Sequence, residues 1–224
     1  MASQATEQSI VVCICGTLAA GKTTLIRSLS QRLKGSAMLV FDEYQSFTEW
    51  PQDFAQWLAQ GCDPAAVSNA RLKADLQSLR SGAPCDHPID GHTINPSPII
   101  FLEDPFGRTR PDNRDLIDLV LFVELPWDLS VVRMTQRALG VDERTEPTAL
   151  GDISKRILVG RIESTRAWLS GYVARRDMYT SLSEPVRATA DAILDGTQSV
   201  DVVLADALEA INREMSGRGN RGDA

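Results

Sequence analysis

The stretch "GTLAAGKTT" at residues 16–24 decides the fold because of what stands on either side of it. An apolar run rich in β-branched residues comes directly before it and predicts a buried strand over Ser9–Cys15. After it, helix-forming residues predict a helix over Lys22–Lys34 that ends at a glycine. The two glycines of the stretch let the connecting backbone turn sharply. The sequence therefore predicts a strand, a tight loop and a helix in direct succession.

The loop has the spacing Gly-x-x-x-x-Gly-Lys-Thr, which is typical of a phosphate-binding loop between a strand and a helix. In such a loop, backbone N–H groups and the helix dipole face the phosphates, the lysine reaches the β- and γ-phosphates, and the threonine hydroxyl binds Mg²⁺. The competing interpretation is a plain strand-to-helix turn with an exposed lysine. We expect a site for ATP and Mg²⁺ made by Gly16, Thr17, Leu18, Ala19, Ala20, Gly21, Lys22, Thr23 and Thr24.

Composition limits the classes of protein to which the chain can belong. Its 224 residues, 43% of them hydrophobic, suffice for one compact domain, expected at 1–215 before a disordered tail at 216–224. A net charge of −7 argues against nucleic acid as a partner. No apolar run approaches membrane-spanning length, and the polar start "MASQATEQS" does not have the pattern of a secretory signal. We therefore expect a cytoplasmic protein without a membrane partner.

Short apolar runs alternate with helical patterns along the rest of the chain. Further strands are predicted at 37–41, 98–102, 119–125 and 192–194, and further helices at 51–60, 63–80, 128–139, 153–182 and 200–213, with a loop at 83–97. This alternation predicts an α/β three-layer sandwich with a central, mostly parallel sheet, and the phosphate-loop motif makes it one of the P-loop NTPase type. We also expect a helical lid at about 133–150. Ligands in such sheets bind beyond the carboxyl ends of the strands.

Acidic residues follow two of these strands. Asp42 and Glu43 in "FDEY" follow the second strand, and an acid there can accept the proton of an attacking hydroxyl, or can simply be a solvated or helix-capping residue. Glu103 and Asp104 follow "IIFL", where an acid opposite a phosphate loop can hold Mg²⁺. We favour Glu103, although a slip of one residue would select Asp104.

Arginines are candidates for contacting transferred phosphate. Arg133 and Arg137 lie four residues apart and share a helix face, and Arg144 follows in a loop. Phosphoryl transfer needs such cations, although a helix with solvated basic residues gives the same pattern. Arg108 and Arg110 in "FGRTRPD" could contact an anionic acceptor or merely belong to a loop.

From the phosphate loop to about residue 144, these motifs occur in an order that resembles the uridine kinase and phosphoribulokinase group of P-loop small-molecule kinases. "FDEY" resembles the acid-plus-aromatic segment of that group, which implies Asp42 as catalytic base. "CDPAAVSNARLKADLQSLRSG" resembles its Asp-Pro-opened helix, which implies Asp63 as a ligand of acceptor hydroxyls. "HPIDGH" resembles its Pro-x-Tyr-Asp segment, with His92 at a loosely equivalent place, and "ADAILDG" resembles the strand that enters the adenine-side loop.

The resemblance implies ATP-dependent transfer of the γ-phosphate to a hydroxyl of a small metabolite, nucleoside- or sugar-like, in an enzyme that is a homodimer by default. A nucleoside, a sugar, a vitamin precursor and an antibiotic-like compound all remain open as the acceptor. A lid is expected to close, because water would otherwise compete as acceptor.

A regulatory nucleotide switch is the main alternative, because "DPFG" at 104–107 resembles the Asp-x-x-Gly segment of GTPases. A GTPase would also need an Asn-Lys-x-Asp segment after a later strand, whereas "PWDLS" follows "LVLFVEL". A third class, an assembly or transport ATPase, has no feature here that demands it.

Two clusters have competing structural explanations. Tyr44, Trp50, Phe54 and Trp57 form either core or a wall of the acceptor pocket, and for Tyr44 we favour the pocket, as a substrate contact together with Asp63, His92 and Arg108. Cys85, His87 and His92 fit no tight zinc spacing, so we expect no zinc site made by these three residues. The four cysteines are expected to be reduced.

Overall fold

The computed structural model describes residues 9–141 and 155–219, and its centre is a five-stranded parallel sheet. The strands are β1 (Ile10–Gly16), β2 (Ser36–Val40), β5 (Ile99–Glu103), β6 (Leu119–Glu124) and β7 (Ala192–Asp195). Their order across the sheet is β2-β5-β1-β6-β7, so the strand before the loop stands in the middle. Cys13 of β1 lies opposite Leu102 on one side and Val120 on the other. The predicted parallel α/β fold is confirmed.

The central strand contributes to two hydrophobic cores, because successive side chains point to opposite faces of the sheet. Val11, Cys13 and Cys15 belong to one core, and Ile10, Val12 and Ile14 belong to the other. All six side chains are buried. The uninterrupted apolar run is thus explained by helices on both faces.

Helices cover the two faces of the sheet. The helices are α1 (Lys22–Arg32), α2 (Phe54–Ala59), α3 (Ala70–Arg80), α4 (Pro111–Arg114), α5 (Trp127–Leu139), α6 (Lys155–Ala188) and α7 (Val200–Gly219). Leucines of α1 and α7 pack in one core, whereas α3 and the end of α6 pack in the other. Among the described residues, no helix is long and apolar enough to cross a membrane.

The helix predicted from Asp63 begins seven residues later, and that prediction is wrong at its start. The Asp63 carboxylate accepts from Ala65 N at 2.9 Å and caps only a 3₁₀ turn at Pro64–Ala66. Val67 is extended, and Asn69 then caps α3 by accepting from Leu72 N at 2.9 Å. Two caps close together divide what the sequence pattern indicates as one helix.

The segment predicted as a plain loop at 83–97 contains a small antiparallel hairpin, β3 (Cys85–Asp86) and β4 (Thr93–Ile94). Each strand has only two residues, too short for alternating hydrophobicity to be detected.

The last two helices are longer than predicted. α6 runs without a break through Gly160 and Gly171, and α7 continues to Gly219, so the first four residues of the tail expected to be disordered are helical. Arg218 forms an ion pair with Asp118, which holds the end of α7 to the start of β6. Residues 220–224, the predicted helix start at 153 and the lid segment at 142–150, with Arg144, lie outside the described residues.

Candidate active site

The loop after β1 takes backbone conformations that explain its glycines. Gly16 has φ 144°, and a Cβ there would lie 2.2 Å from the carbonyl oxygen of Val123, so a larger residue would collide with β6. Gly21 has φ 95° and begins α1 in the left-handed region. Ala19 also has a positive φ of 54°. The chain is therefore curled between β1 and α1, as a phosphate-binding loop requires.

Thr17 anchors this loop to the end of β6. Its hydroxyl donates to the carbonyl of Leu125 at 3.1 Å and accepts from the N–H of Leu125 at 3.0 Å. Its own N–H donates to the carbonyl of Val123 at 3.2 Å. The first hydrogen bond of α1 joins Leu25 N to Gly21 O. The backbone N–H groups before Leu25 therefore have no partner within the helix and can bind a phosphate. The motif places Thr17 in the loop, but its anchoring role depends on β6 and is not visible in the sequence.

Lys22 folds back over the loop that carries it. Its Nζ donates to the carbonyl of Thr17 at 3.1 Å and to that of Gly16 at 3.4 Å. Burial lowers the pKa of Lys22, and the Glu103 carboxylate opposes that change. A desolvated ammonium held by neutral carbonyls can exchange these partners for an anion, which compensates its charge better.

Thr23 and Glu103 are 80 residues apart in the sequence, but their side chains are in contact because the start of α1 lies beside the end of β5. The Thr23 hydroxyl donates to the Glu103 carboxylate at 3.1 Å. Burial raises the pKa of Glu103, whereas Lys22 and the Thr23 hydrogen bond act against the rise. A hydroxyl and a carboxylate side by side are oxygen ligands of the kind that Mg²⁺ prefers.

Asp104, one residue further, faces the opposite way. It is fully buried and accepts from Arg110 Nη2 at 2.5 Å, from Asn113 Nδ2 at 3.2 Å and from Phe106 N at 2.9 Å. The guanidinium of Arg110 also lies over the rings of Phe41 and Phe106. Asp104 and Arg110 are thus a core ion pair, and the "DPFG" segment directs its carboxylate away from the phosphate loop.

Asp42 is exposed in the 3₁₀ helix at Phe41–Phe47, directly after β2. Its carboxylate is close enough to influence the pKa values of both Lys22 and Glu103. The predicted base, the loop lysine and the predicted metal-side acid are therefore brought to one edge of the sheet.

A cleft of about 540 Å³ opens beside the loop, lined by α5 and by the turn between β7 and α7. Arg133 donates to the carbonyls of Gly196 at 3.2 Å and Ala19 at 3.5 Å, which joins this turn to the loop. Arg137 lines the cleft and is among the charges that lower the pKa of Lys22. The lining also includes Ala20, Gly21, Thr24, Gln136, Gln198 and Ser199.

The turn after β7 is a part of the site that the sequence signals only through "ADAILDG". The Asp195 carboxylate accepts from Thr197 N at 2.9 Å and from Gln198 Nε2 at 2.9 Å, which fixes the turn. A Cβ on Gly196 would lie 2.7 Å from the carbonyl of Glu124, so only glycine fits there. Leu18 stands half-buried in the loop.

Two predicted substrate contacts are wrong. Tyr44 is fully buried and donates its hydroxyl to Asp75 at 3.0 Å, so it belongs to the core. Arg108 donates to the carbonyl of Ile117 at 3.2 Å and pairs with Asp191 at 2.8 Å, both of which precede strands. It therefore lies at the amino edge of the sheet, opposite the phosphate loop, a placement that depends on how the chain returns after β5.

Asp63 and His92, the other two predicted substrate contacts, stand on separate segments. Asp63 is exposed, and its carbonyl accepts from Trp57 Nε1 at 2.9 Å. Trp57 packs against Trp50, whose ring lies 6.3 Å from that of Phe106. His92 lies on the β3–β4 hairpin.

Curated relatives align with most of the chain. A uridine kinase of Bacillus subtilis is 28% identical over 203 residues, which cover 84% of this chain and 86% of that protein. A uridine kinase of Ligilactobacillus salivarius is 25% identical over 202 residues, covering 84% and 85%. A solved structure of a possible uridine kinase from Bacillus stearothermophilus is 18% identical with a TM-score of 0.45, covering 84% and 89%. No protein-family model matches.

The relatives agree with the resemblance of the motifs and do not favour a regulatory switch. With its strand, phosphate loop and helix in place, the chain is similar to uridine kinases over most of its length.

Proposed function

We propose that this enzyme transfers the γ-phosphate of ATP to a hydroxyl of a small, nucleoside-like metabolite. The observation that carries the proposal is the meeting of the Thr23 hydroxyl and the Glu103 carboxylate at 3.1 Å, beside Lys22 on the phosphate loop. The names of the curated relatives, uridine kinases, support the class of acceptor.

The loop and the adjoining cleft supply the nucleotide site. Backbone N–H groups at the start of α1 would bind the phosphates, and Lys22 would exchange its loop carbonyls for the β- and γ-phosphates. Thr23 and Glu103 would hold Mg²⁺, directly or through water. When bound, Mg²⁺ neutralises charge on the phosphates during transfer.

Asp42 is the proposed base. It would accept the proton of the acceptor hydroxyl as that oxygen bonds to the γ-phosphorus and the bond to the leaving ADP oxygen breaks. Its exposure at the edge shared with Lys22 and Glu103 leaves it accessible to an acceptor.

Arg133 and Arg137 would stabilise the charge of the transferred group. Both line the cleft, and Arg133 already contacts the loop through Ala19. Asp63 and His92 are the proposed acceptor contacts. The cytoplasmic location and the homodimer stay predictions.

Replacement of Lys22 tests the proposal. Lys22→Ala should lower kcat by about a hundredfold or more, because one preorganised cation at the phosphates is lost. The measurement is ADP release from Mg·ATP with a panel of hydroxyl metabolites, nucleosides first. Lys34→Ala, an exposed lysine just beyond α1, is the matched control and should keep wild-type activity.

Stimulation of ADP release by one nucleoside or sugar would identify the acceptor. ATP turnover that no acceptor changes would contradict the kinase and favour a hydrolysing switch. Full activity in Lys22→Ala would contradict the assignment of the loop.

A further inference from the structure

Two histidines and an aspartate converge on the β3–β4 hairpin. His87 N donates to the carbonyl of His92 at 2.8 Å, and Gly91 N donates back to the carbonyl of His87 at 3.0 Å. Gly91 has φ 71°, so the turn uses a left-handed residue. The two imidazole rings consequently stack, with centroids 4.5 Å apart and planes 20° from parallel.

Both rings direct the same nitrogen at one oxygen. The Nδ1 atom of His87 lies 2.9 Å from Asp90 Oδ1, and the Nδ1 atom of His92 lies 2.6 Å from it. One ligand atom from each residue lies within 4.8 Å of the other two. Two imidazoles and a carboxylate are ligands of the kind that Zn²⁺ takes, so their convergence makes this a candidate metal site.

Glu43 supplies an independent indication. Its Oε2 lies 3.2 Å from Nε2 of His87. A carboxylate only accepts, so Nε2 carries the ring proton, and in the neutral ring Nδ1 then presents a lone pair to Asp90. Two acceptors 2.9 Å apart repel each other unless a proton or a metal ion lies between them. A carboxylate that orients the far nitrogen of a histidine is the usual outer partner of a metal ligand.

We propose that the hairpin binds a divalent transition-metal ion of the Zn²⁺ class through Nδ1 of His87, Nδ1 of His92 and the carboxylate of Asp90. Glu43 positions His87 and does not bind the ion. Imidazole ligands select such an ion over Mg²⁺, which prefers oxygen. The fourth position is open to water, and the exposed side chains of Asp90 and His92 are free to spread to zinc-ligand distances of about 2.0–2.2 Å.

The ligand set differs from the one that the sequence pattern offers. Cys85, His87 and His92 are close in sequence, but Cys85 stands on β3, where it pairs with Ile94 in the hairpin ladder. Asp90 replaces Cys85 in the proposed ligand set, because the turn brings its carboxylate to Nδ1 of both rings. The site shares no ligand with the Thr23–Glu103 pair, but His92 is also a proposed acceptor contact, so the test measures metal binding directly and not through activity.

Metal titration of the full chain in excess Mg²⁺ tests this inference. Zn²⁺ should bind at micromolar concentration by calorimetry with one-to-one stoichiometry, and Co²⁺ should give visible d–d absorption. Asp90→Asn and His92→Ala should each weaken binding by at least about tenfold, and Glu43→Gln by about 10–100-fold. Cys85→Ser is the matched hairpin control and should bind as the wild type does.

Absence of Zn²⁺ binding at micromolar concentration would overturn the inference. Equal affinity in the wild type, Asp90→Asn and His92→Ala would also overturn it, because the ion would then be bound elsewhere. Far-ultraviolet circular dichroism of each variant confirms that the fold is kept, so a loss of binding reports on the ligands. Calorimetry measures metal binding without any kinase reaction, so this outcome is distinct from failure of the proposed function.

Discussion

At the scale of single residues, the neighbouring carboxylates Glu103 and Asp104 point in opposite directions. Glu103 faces α1 and the hydroxyl of Thr23, whereas Asp104 points into the core and pairs with Arg110. The alternation of side chains along a strand separates the two carboxylates. The sequence limits the candidates for the Mg²⁺-binding acid to these two residues. The positions of α1 and Arg110 in the fold favour Glu103 over Asp104.

Asp42→Asn should separate chemistry from nucleotide binding. The amide cannot take the acceptor proton, so kcat should fall by about 10²–10⁴-fold, while the KM for ATP stays near the wild-type value. Steady-state kinetics with varied ATP measure both constants. Asp206→Asn, an exposed carboxylate on α7, is the control. Equal losses in kcat and in apparent ATP affinity would indicate that Asp42 acts on the metal instead.

Glu103→Gln should lower activity but raise thermal stability at neutral pH. Burial raises the pKa of Glu103 above its ordinary value of 4.5, so the folded state binds this proton more tightly than the unfolded chain does. The protonated Glu103 carboxyl group therefore stabilises the wild type in acid. This contribution should fall as pH rises from about 4.5 through the raised pKa, and it should be absent at neutral pH.

The glutamine variant carries no charge to desolvate, so its Tm should exceed that of the wild type at neutral pH and approach it in acid. Thermal unfolding across pH measures the difference, with the exposed Glu163→Gln on α6 as control. A wild type that gains stability relative to Glu103→Gln as pH rises would contradict the shift.

At the scale of elements, the sequence predicts best where one segment decides its own structure. The β1–loop–α1 unit follows from the apolar run and the glycine spacing, and the other strands of the sheet lie within one or two residues of their predicted bounds. The start of α3, the hairpin and the path that carries Arg108 to the amino edge depend on contacts with distant segments. The prediction that Tyr44 contacts substrate fails for the same reason, since its partner Asp75 is 31 residues away in the sequence.

Asn69 should matter more for α3 than Asp63 does. Besides capping Leu72 N, buried Asn69 donates to the carbonyl of Tyr44 at 3.0 Å and to the Thr48 hydroxyl at 2.8 Å. Asn69→Ala should lower the free energy of unfolding by about 2 kcal/mol, because a cap is lost and the carbonyl of Tyr44 loses one of its two donors. Urea unfolding measures the change. Asp63 caps only an exposed turn, so Asp63→Ala should lower the free energy of unfolding by less. A larger loss in Asp63→Ala than in Asn69→Ala would contradict this account.

At the scale of the whole molecule, the proposed nucleotide site is assembled from both halves of the chain. The loop comes from β1, its anchor from β6, and the cleft wall from α5 and the β7–α7 turn. Arg133 joins two of these parts through the carbonyls of Ala19 and Gly196. Nucleotide binding should therefore stabilise the sheet and its helices together.

A non-hydrolysable ATP analogue with Mg²⁺ should raise the Tm of the whole chain in one cooperative transition. At a concentration of about 100 Kd the gain is about 2.7 kcal/mol, because the ligand binds only the folded state. Differential scanning calorimetry measures the shift. Lys22→Ala should show a smaller shift at the same concentration, and an equal shift would contradict the role of Lys22 at the phosphates.

The opposed directions of Glu103 and Asp104 have an evolutionary consequence. Insertion or deletion of one residue in β5 would turn the core carboxylate into the cleft and the cleft carboxylate into the core. The same change would remove the counter-charge of Arg110 and the acceptor of the Thr23 hydroxyl. Homologous chains should therefore vary in length in the loops before and after this strand but align without gaps through it.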